Sequence, residues 1–257
     1  MFTIALNTIR EFIRNKILYI IILVAILLIL FSLVLSTLAL SEEQKIILDF
    51  SLTVIELFWL LTTLFLGSYL LYSEISKNTI LMILSKAPNR WKFLLWKFFG
   101  FMFILLLVYI CLSIAFWLVV FLHWIWFEVS YFQAIFLSFI KILVVLAFIL
   151  FFSTFASPFV SLLVSMWIYI ISHSLSFVKF YLIETERVLE GSLSYFLINV
   201  FYYVFPNFHD LSMKEYLISP HLDNYTLLHI IFTTWVHLIY IAIILIFAVL
   251  IFRKRQF

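Results

Sequence analysis

Long apolar runs, rather than an alternation of apolar and polar positions, set the pattern of this chain. Five of them are Ile17–Leu40, Phe50–Tyr72, Phe98–Leu122, Tyr131–Phe155 and His229–Phe252, and a sixth, Pro158–Leu175, is shorter. A helix needs about 20 apolar residues to cross the roughly 30 Å hydrocarbon layer of a bilayer. Run length and the lack of a two-residue period predict six membrane-spanning helices rather than barrel strands. Pro158 suits the first turn of its helix, where a missing N–H costs nothing. The run Ile17–Leu40 exceeds the apolar core of a signal peptide and lacks a small-residue cleavage pattern, so it is expected to remain as a span.

Three stretches fall outside these runs. In residues 1–16, Phe2, Leu6, Ile9 and Ile13 recur at helical spacing with Arg10, Glu11, Arg14 and Lys16 between them. That pattern predicts an amphipathic helix lying in the membrane interface. Residues 73–97 form a polar loop. Residues 176–228 form the longest connection, and within it Tyr195–Phe205 is apolar but too short to span, which predicts a re-entrant or interfacial helix ended by Pro206. The expectation is one polytopic all-α domain over 1–257.

Composition strengthens this reading. Of 257 residues, 67% are hydrophobic and 11% charged, whereas a soluble domain carries about a quarter charged residues. A soluble sphere could not hide that much apolar surface, so the bilayer is the solvent. The formal charge of +3 gives no reason to expect nucleic acid as a partner. The single cysteine, Cys111, lies within an apolar run and excludes an intrachain disulfide. Placement of charge says more. With the N-terminus cytoplasmic, Arg10, Arg14, Lys16, Lys77, Lys86, Arg90, Lys92, Lys97, Arg253, Lys254 and Arg255 all fall on the inner side. The positive-inside rule then predicts a multi-pass protein of the cell membrane with both termini in the cytoplasm.

The chain has no phosphate loop of the G-x-x-x-x-G-K-[ST] type, no G-x-S-x-G elbow and no H-E-x-x-H helix. No catalytic residue is predicted, and any ATP and Mg would be bound by another chain. The cytoplasmic loop reads Glu74-Ile75-Ser76-Lys77-Asn78-Thr79-Ile80, then Leu84-Ser85-Lys86-Ala87-Pro88-Asn89-Arg90. A short helix over Ser76–Leu84 would suit a partner's groove; a solvated basic loop against anionic headgroups is the plainer alternative.

At this loop the sequence resembles the ABC-2 type permeases, in particular the branch that includes the permease of nitrous-oxide-reductase maturation. The N-terminal motif of that branch is matched by Asn7-Thr8-Ile9-Arg10-Glu11-Phe12-Ile13-Arg14-Asn15-Lys16, and a late second-span motif by Phe65-Leu66-Gly67. The loop motif is matched by Glu74, Ile75, Thr79, Ile80, Leu84, Ser85, Lys86 and Arg90, and a Pro-Asn before the last span by Pro206-Asn207. Two positions depart: Ala87 stands where the family has proline, which moves to Pro88, and Trp96 replaces a usual glycine. The resemblance implies that Glu74, Thr79, Leu84, Ser85, Lys86, Pro88 and Arg90 belong to a coupling helix seated in a cytosolic ABC ATPase. It further implies a dimer with a second copy or a paralogue, and export by alternating access. Without it, a secondary transporter and a non-transporting scaffold driven by an ATPase remain as alternatives; the first would call for Gly- or Pro-broken spans, which are scarce here.

Two charges fall inside spans, where charge is costly. Counting helix rise, Glu56 lies roughly 9 Å and Lys141 roughly 15 Å inward from the outer ends of their runs. They either pair between spans two and four, or Glu56 sits near the interface while Lys141 snorkels outward. The six histidines, His123, His173, His209, His221, His229 and His237, all fall on the outer side or outer half. None has ligand spacing, so no metal is predicted and interfacial positions are expected. Trp124, Trp126, Tyr131, Tyr202 and Tyr203 are expected as interface anchors.

Overall fold

In lipid every backbone polar group must be satisfied within its own segment, and each long apolar run accordingly forms one continuous helix. The computed structural model describes residues 2–37, 42–76, 90–126, 128–184, 192–214, 217 and 226–254. Its helices are α1 (Phe2–Ile13), α2 (Lys16–Ser36), α3 (Glu43–Ser76), α4 (Arg90–Leu122), α5 (Val129–Ser153), α6 (Pro158–Lys179), α7 (Leu193–Val204) and α8 (Leu227–Lys254). A π-helical turn, Phe180–Glu184, extends α6. Six helices, α2 to α6 and α8, are long and apolar enough to cross a membrane. The helix ends at Phe2, Ser76, Arg90 and Lys254 therefore lie on one side of the bundle, here the termini side; the opposite side is distal.

Local signals fix several boundaries. Asn15 caps α2 by accepting the Ile17 N–H at 3.0 Å. Pro158 opens α6 behind the cap residue Ser157, as its missing N–H allows. Ser192 caps α7 through the Tyr195 N–H at 3.2 Å.

Helix α5 is the hub. Fifteen of its 25 residues are buried, because α3, α4, α6 and α8 all pack on it. Helix α2 is peripheral, set against α3 and α4, and shows Ile20, Leu23, Leu27 and Val34 to the surroundings. With no hydrophobic force between helices in lipid, close van der Waals approach holds such a bundle. Gly67 marks one such point: a Cβ there would stand 3.1 Å from the Phe101 ring and 3.2 Å from Ile149.

The amphipathic pattern of residues 1–16 does form a helix, and that helix packs on protein. Ala5, Thr8 and Phe12 are buried, and Phe12 meets the Phe101 ring at 4.7 Å between centroids. Gly100 makes the approach close, since a Cβ there would stand 3.1 Å from both the backbone and the carbonyl oxygen of Ala5. Gly100→Val is expected to push α1 off α4 at a cost of about 1–3 kcal/mol. The check is a lowered melting midpoint together with faster proteolysis before residue 16.

The helices run beyond several of the expected spans. Helix α3 begins at Glu43 rather than at 50, α4 begins at Arg90 rather than at 98, and α6 continues beyond 175. Hydropathy marks only the lipid-facing stretch, whereas these helices run on through polar turns. One of the expected interface anchors also differs. Trp124 and Trp126 are each 86% exposed, but Tyr131 is buried against Phe116 and Trp117.

Candidate functional site

Glu56 and Lys141 come together. Lys141 Nζ donates to Glu56 Oε1 at 2.8 Å, and the Tyr169 hydroxyl donates to the same oxygen at 2.6 Å. Each helix brings its residue to a similar height. Measured from the distal ends at 1.5 Å per residue, Glu56 stands about 20 Å along α3, Lys141 about 18 Å along α5 and Tyr169 about 15 Å back along α6. Lys141 has no exposed side-chain surface, while Glu56 keeps 15%. The lysine therefore does not snorkel: it sits on the hub helix with protein on every side, and its charge is met inside the bundle.

Glu56 looks from this pair into a cavity of about 320 Å³ on the distal half of the bundle. One face of α3 lines it with Asp49, Thr53, Glu56 and Leu60; α6 contributes Tyr169 and His173, whose rings stack at 6.1 Å. The spacing is that of one helical stripe on each wall. Ser212 and Lys214 close the remaining side. Lys214 Nζ bonds Asp49 Oδ1 at 2.6 Å and also the Thr53 hydroxyl. The cavity thus carries an inner ion pair at its depth and an outer one at its rim.

The rim residues come from the connection after α7. Beyond Pro206 the chain turns back into the bundle, burying Phe208, Leu211 and Met213. The Phe208 N–H donates to the Ser172 carbonyl at 3.1 Å, the Ser176 hydroxyl bonds Asn207 Oδ1 at 2.9 Å, and the Phe208 ring lies 5.7 Å from Tyr169. This inserted segment was not visible in the sequence. Its three apolar residues alternate with His209, Asp210, Ser212 and Lys214, a mixture that reads as solvent-exposed loop.

Helix α7 covers the expected interfacial segment with a shift of one or two residues, and none of its residues is buried. It is tied to the bundle by Lys179, whose ammonium sits 4.0 Å from the Tyr202 ring centre, and by the Tyr240 hydroxyl donating to the Tyr203 carbonyl at 3.0 Å.

The remaining predicted residues divide between two places. Arg10, Glu11, Arg14 and Lys16 are all exposed on the termini side, where Glu11, Phe12, Asn15, Phe65 and Tyr69 line a second cavity of about 340 Å³. Glu74 lies in the last turn of α3, and Arg90 starts α4. Thr79, Leu84, Ser85, Lys86 and Pro88 lie outside the described residues. Of the histidines, His173 lines the polar cavity and His123 meets Glu43 at 3.2 Å. His237 is not interfacial but buried, its Nδ1–H donating to the Thr233 carbonyl at 2.8 Å one turn back. His221 lies outside the described residues. Among the described residues no three His, Cys, Asp or Glu side chains gather as a metal site would require. Compared with known proteins, the chain matches no protein-family model and no curated sequence.

Proposed function

We propose that this chain is the membrane-spanning permease subunit of an ATP-driven exporter of the ABC-2 type, coupled to a separate cytosolic ATPase. One geometric observation supports it most. Residues 77–89 connect two unbroken helices, α3 of 34 residues and α4 of 33. At 1.5 Å per residue each is about 50 Å long, against a hydrocarbon layer of about 30 Å. A force on the loop would therefore reach the middle of the bundle through rigid levers, which coupling by rocking of two permease halves requires. In this reading the termini side is cytoplasmic, α1 and α7 rest in the two membrane interfaces, and a second copy or a paralogue completes the transporter.

The test is co-purification of tagged protein in nanodiscs, comparing the wild type with Glu74→Ala and Arg90→Ala. A soluble ATPase that copurifies with the wild type and is lost from both variants is the expected result. Wild-type protein that brings down no ATPase under conditions preserving complexes would remove the proposal.

A second reading has its own observation. The Glu56–Lys141–Tyr169 cluster beside a polar cavity is the kind of buried ionic site that ion-coupled secondary transporters use. Solute flux in proteoliposomes driven by an ion gradient, with neither ATP nor an ATPase, would favour that reading.

A further inference from the structure

From the cavity's charge arrangement we infer that it binds a small zwitterion, with its ammonium end at Glu56 and its anionic end at Lys214. This rests on the reading of the chain as a transport subunit only for its consequence, since the binding itself needs no partner.

The inner end is an acceptor. Both hydrogen bonds that Glu56 makes among the described residues fall on Oε1, from Lys141 and Tyr169. Oε2 carries neither, and Glu56 lines the cavity. A carboxylate oxygen left over at this depth is a place for a donor, and a charged donor gives the stronger bond. The outer end is a donor. Lys214 has three N–H groups, of which Asp49 and Thr53 engage two. Its side chain is 27% exposed and lines the same cavity. Among the described residues a third N–H therefore remains for an anion at the rim.

The sum of charges then selects the ligand. With the His173 imidazole uncharged, Asp49 and Glu56 are balanced by Lys141 and Lys214, so the site is neutral when empty. A ligand of net charge would leave one charge uncompensated in a poorly solvated space, which is expensive. A molecule with one charge of each sign does not. The two ends also lie close together, because Thr53, which anchors Lys214, is one helical turn from Glu56. Residues at that spacing have Cβ atoms about 5–6 Å apart. Leu57 and Leu60 lie along the wall and suit a short methylene chain. The volume, about 320 Å³, is at the small end of the range for small-molecule sites.

The experiment uses purified full-length protein in nanodiscs and radiolabelled γ-aminobutyrate as probe, with butylamine and butyrate as single-charge competitors. Wild-type protein should bind the zwitterion at least about tenfold more tightly than either competitor, the difference expected from one charge-assisted hydrogen bond. Glu56→Gln combined with Lys141→Gln, which keeps the inner pair neutral, should erase the advantage over butyrate. Lys214→Gln should erase the advantage over butylamine and leave the other intact. Leu60→Trp fills the cavity without removing a charge and should abolish binding of all three. A zwitterion that binds no better than both competitors overturns the inference, and so do preferences that survive the variants or binding that survives Leu60→Trp. Repeating the assay with phosphatidylglycerol alone and with added phosphatidylethanolamine identifies the source. Suppression by the second lipid would name its zwitterionic headgroup as the occupant, and no suppression would name a free solute. Failure of this assay would leave the ATPase pull-down unaffected, and the reverse also holds.

Discussion

Lys141→Met is expected to destabilise the protein by about 3–5 kcal/mol, the cost of leaving the other member of a buried ion pair without its partner. The carboxylate of Glu56 would keep only the Tyr169 hydroxyl, bonded at 2.6 Å, and would lose the one cation that touches it in the described structure. Glu56→Gln is expected to cost a similar amount, because Lys141 has no exposed surface through which water could reach its ammonium. The double variant should recover most of the loss, since two neutral side chains of similar length remove both desolvation penalties at once. Exchanging the charges, Glu56→Lys with Lys141→Glu, should also recover part of it. Unfolding free energies of the four proteins of the cycle, measured by steric trapping in bicelles, provide the check. Single costs that simply add in the double variant would mean that the two charges are satisfied separately, and the pair would lose its standing as the centre of the site.

Trp59→Ala should be the largest single loss of packing, again about 3–5 kcal/mol. Trp59 is fully buried one turn from Glu56. Its indole stacks on Tyr109 at 4.7 Å with an interplanar angle of 7°, lies 5.8 Å from Phe139, and donates its N–H to the Leu105 carbonyl at 3.3 Å. One side chain therefore joins α3, α4 and α5. Lipid cannot fill the hole that alanine would leave, because the hole is enclosed by protein, and the dispersion contacts around it are lost outright. Trp59→Phe keeps most of the volume and gives up chiefly the hydrogen bond, so about 1 kcal/mol is expected. Melting midpoints in detergent should fall in the order wild type, Phe, Ala. Equal losses for Phe and Ala would assign the effect to the hydrogen bond rather than to the packing.

The number and order of the spans were legible in the sequence because the bilayer imposes a single requirement, a long apolar segment. Helix ends were less legible for the same reason. Glu43–Asp49 at the start of α3 is helical with four polar residues in seven, and Arg90–Lys97 at the start of α4 is helical with three cations in eight, so a hydropathy threshold passes over them. The candidate site was half visible. Glu56 and Lys141 stand out because charge within a span demands an explanation, and pairing was one of two readings open for them. Tyr169 carried no signal in a chain that is 21% aromatic. Lys214 could not be connected to Asp49 and Thr53 from the sequence, since that contact depends on the segment after Pro206 folding back against α3, more than 150 positions away in the chain.

The enclosure of α5 has a mechanical meaning. A helix that touches lipid shares directly in any change of bilayer thickness, by tilting or by stretching the lipid around it. Helix α5, on which α3, α4, α6 and α8 pack, is wholly buried over residues 140–147 and takes no such load there. Thinner or thicker membranes reach Lys141 only as relative tilts of its neighbours, and the hydrogen bonds to Glu56 Oε1 span three of these helices. The same two bonds that close the inner end of the cavity would then register how the outer helices lean, and lipid chain length becomes a variable that acts on the site without any lipid entering it.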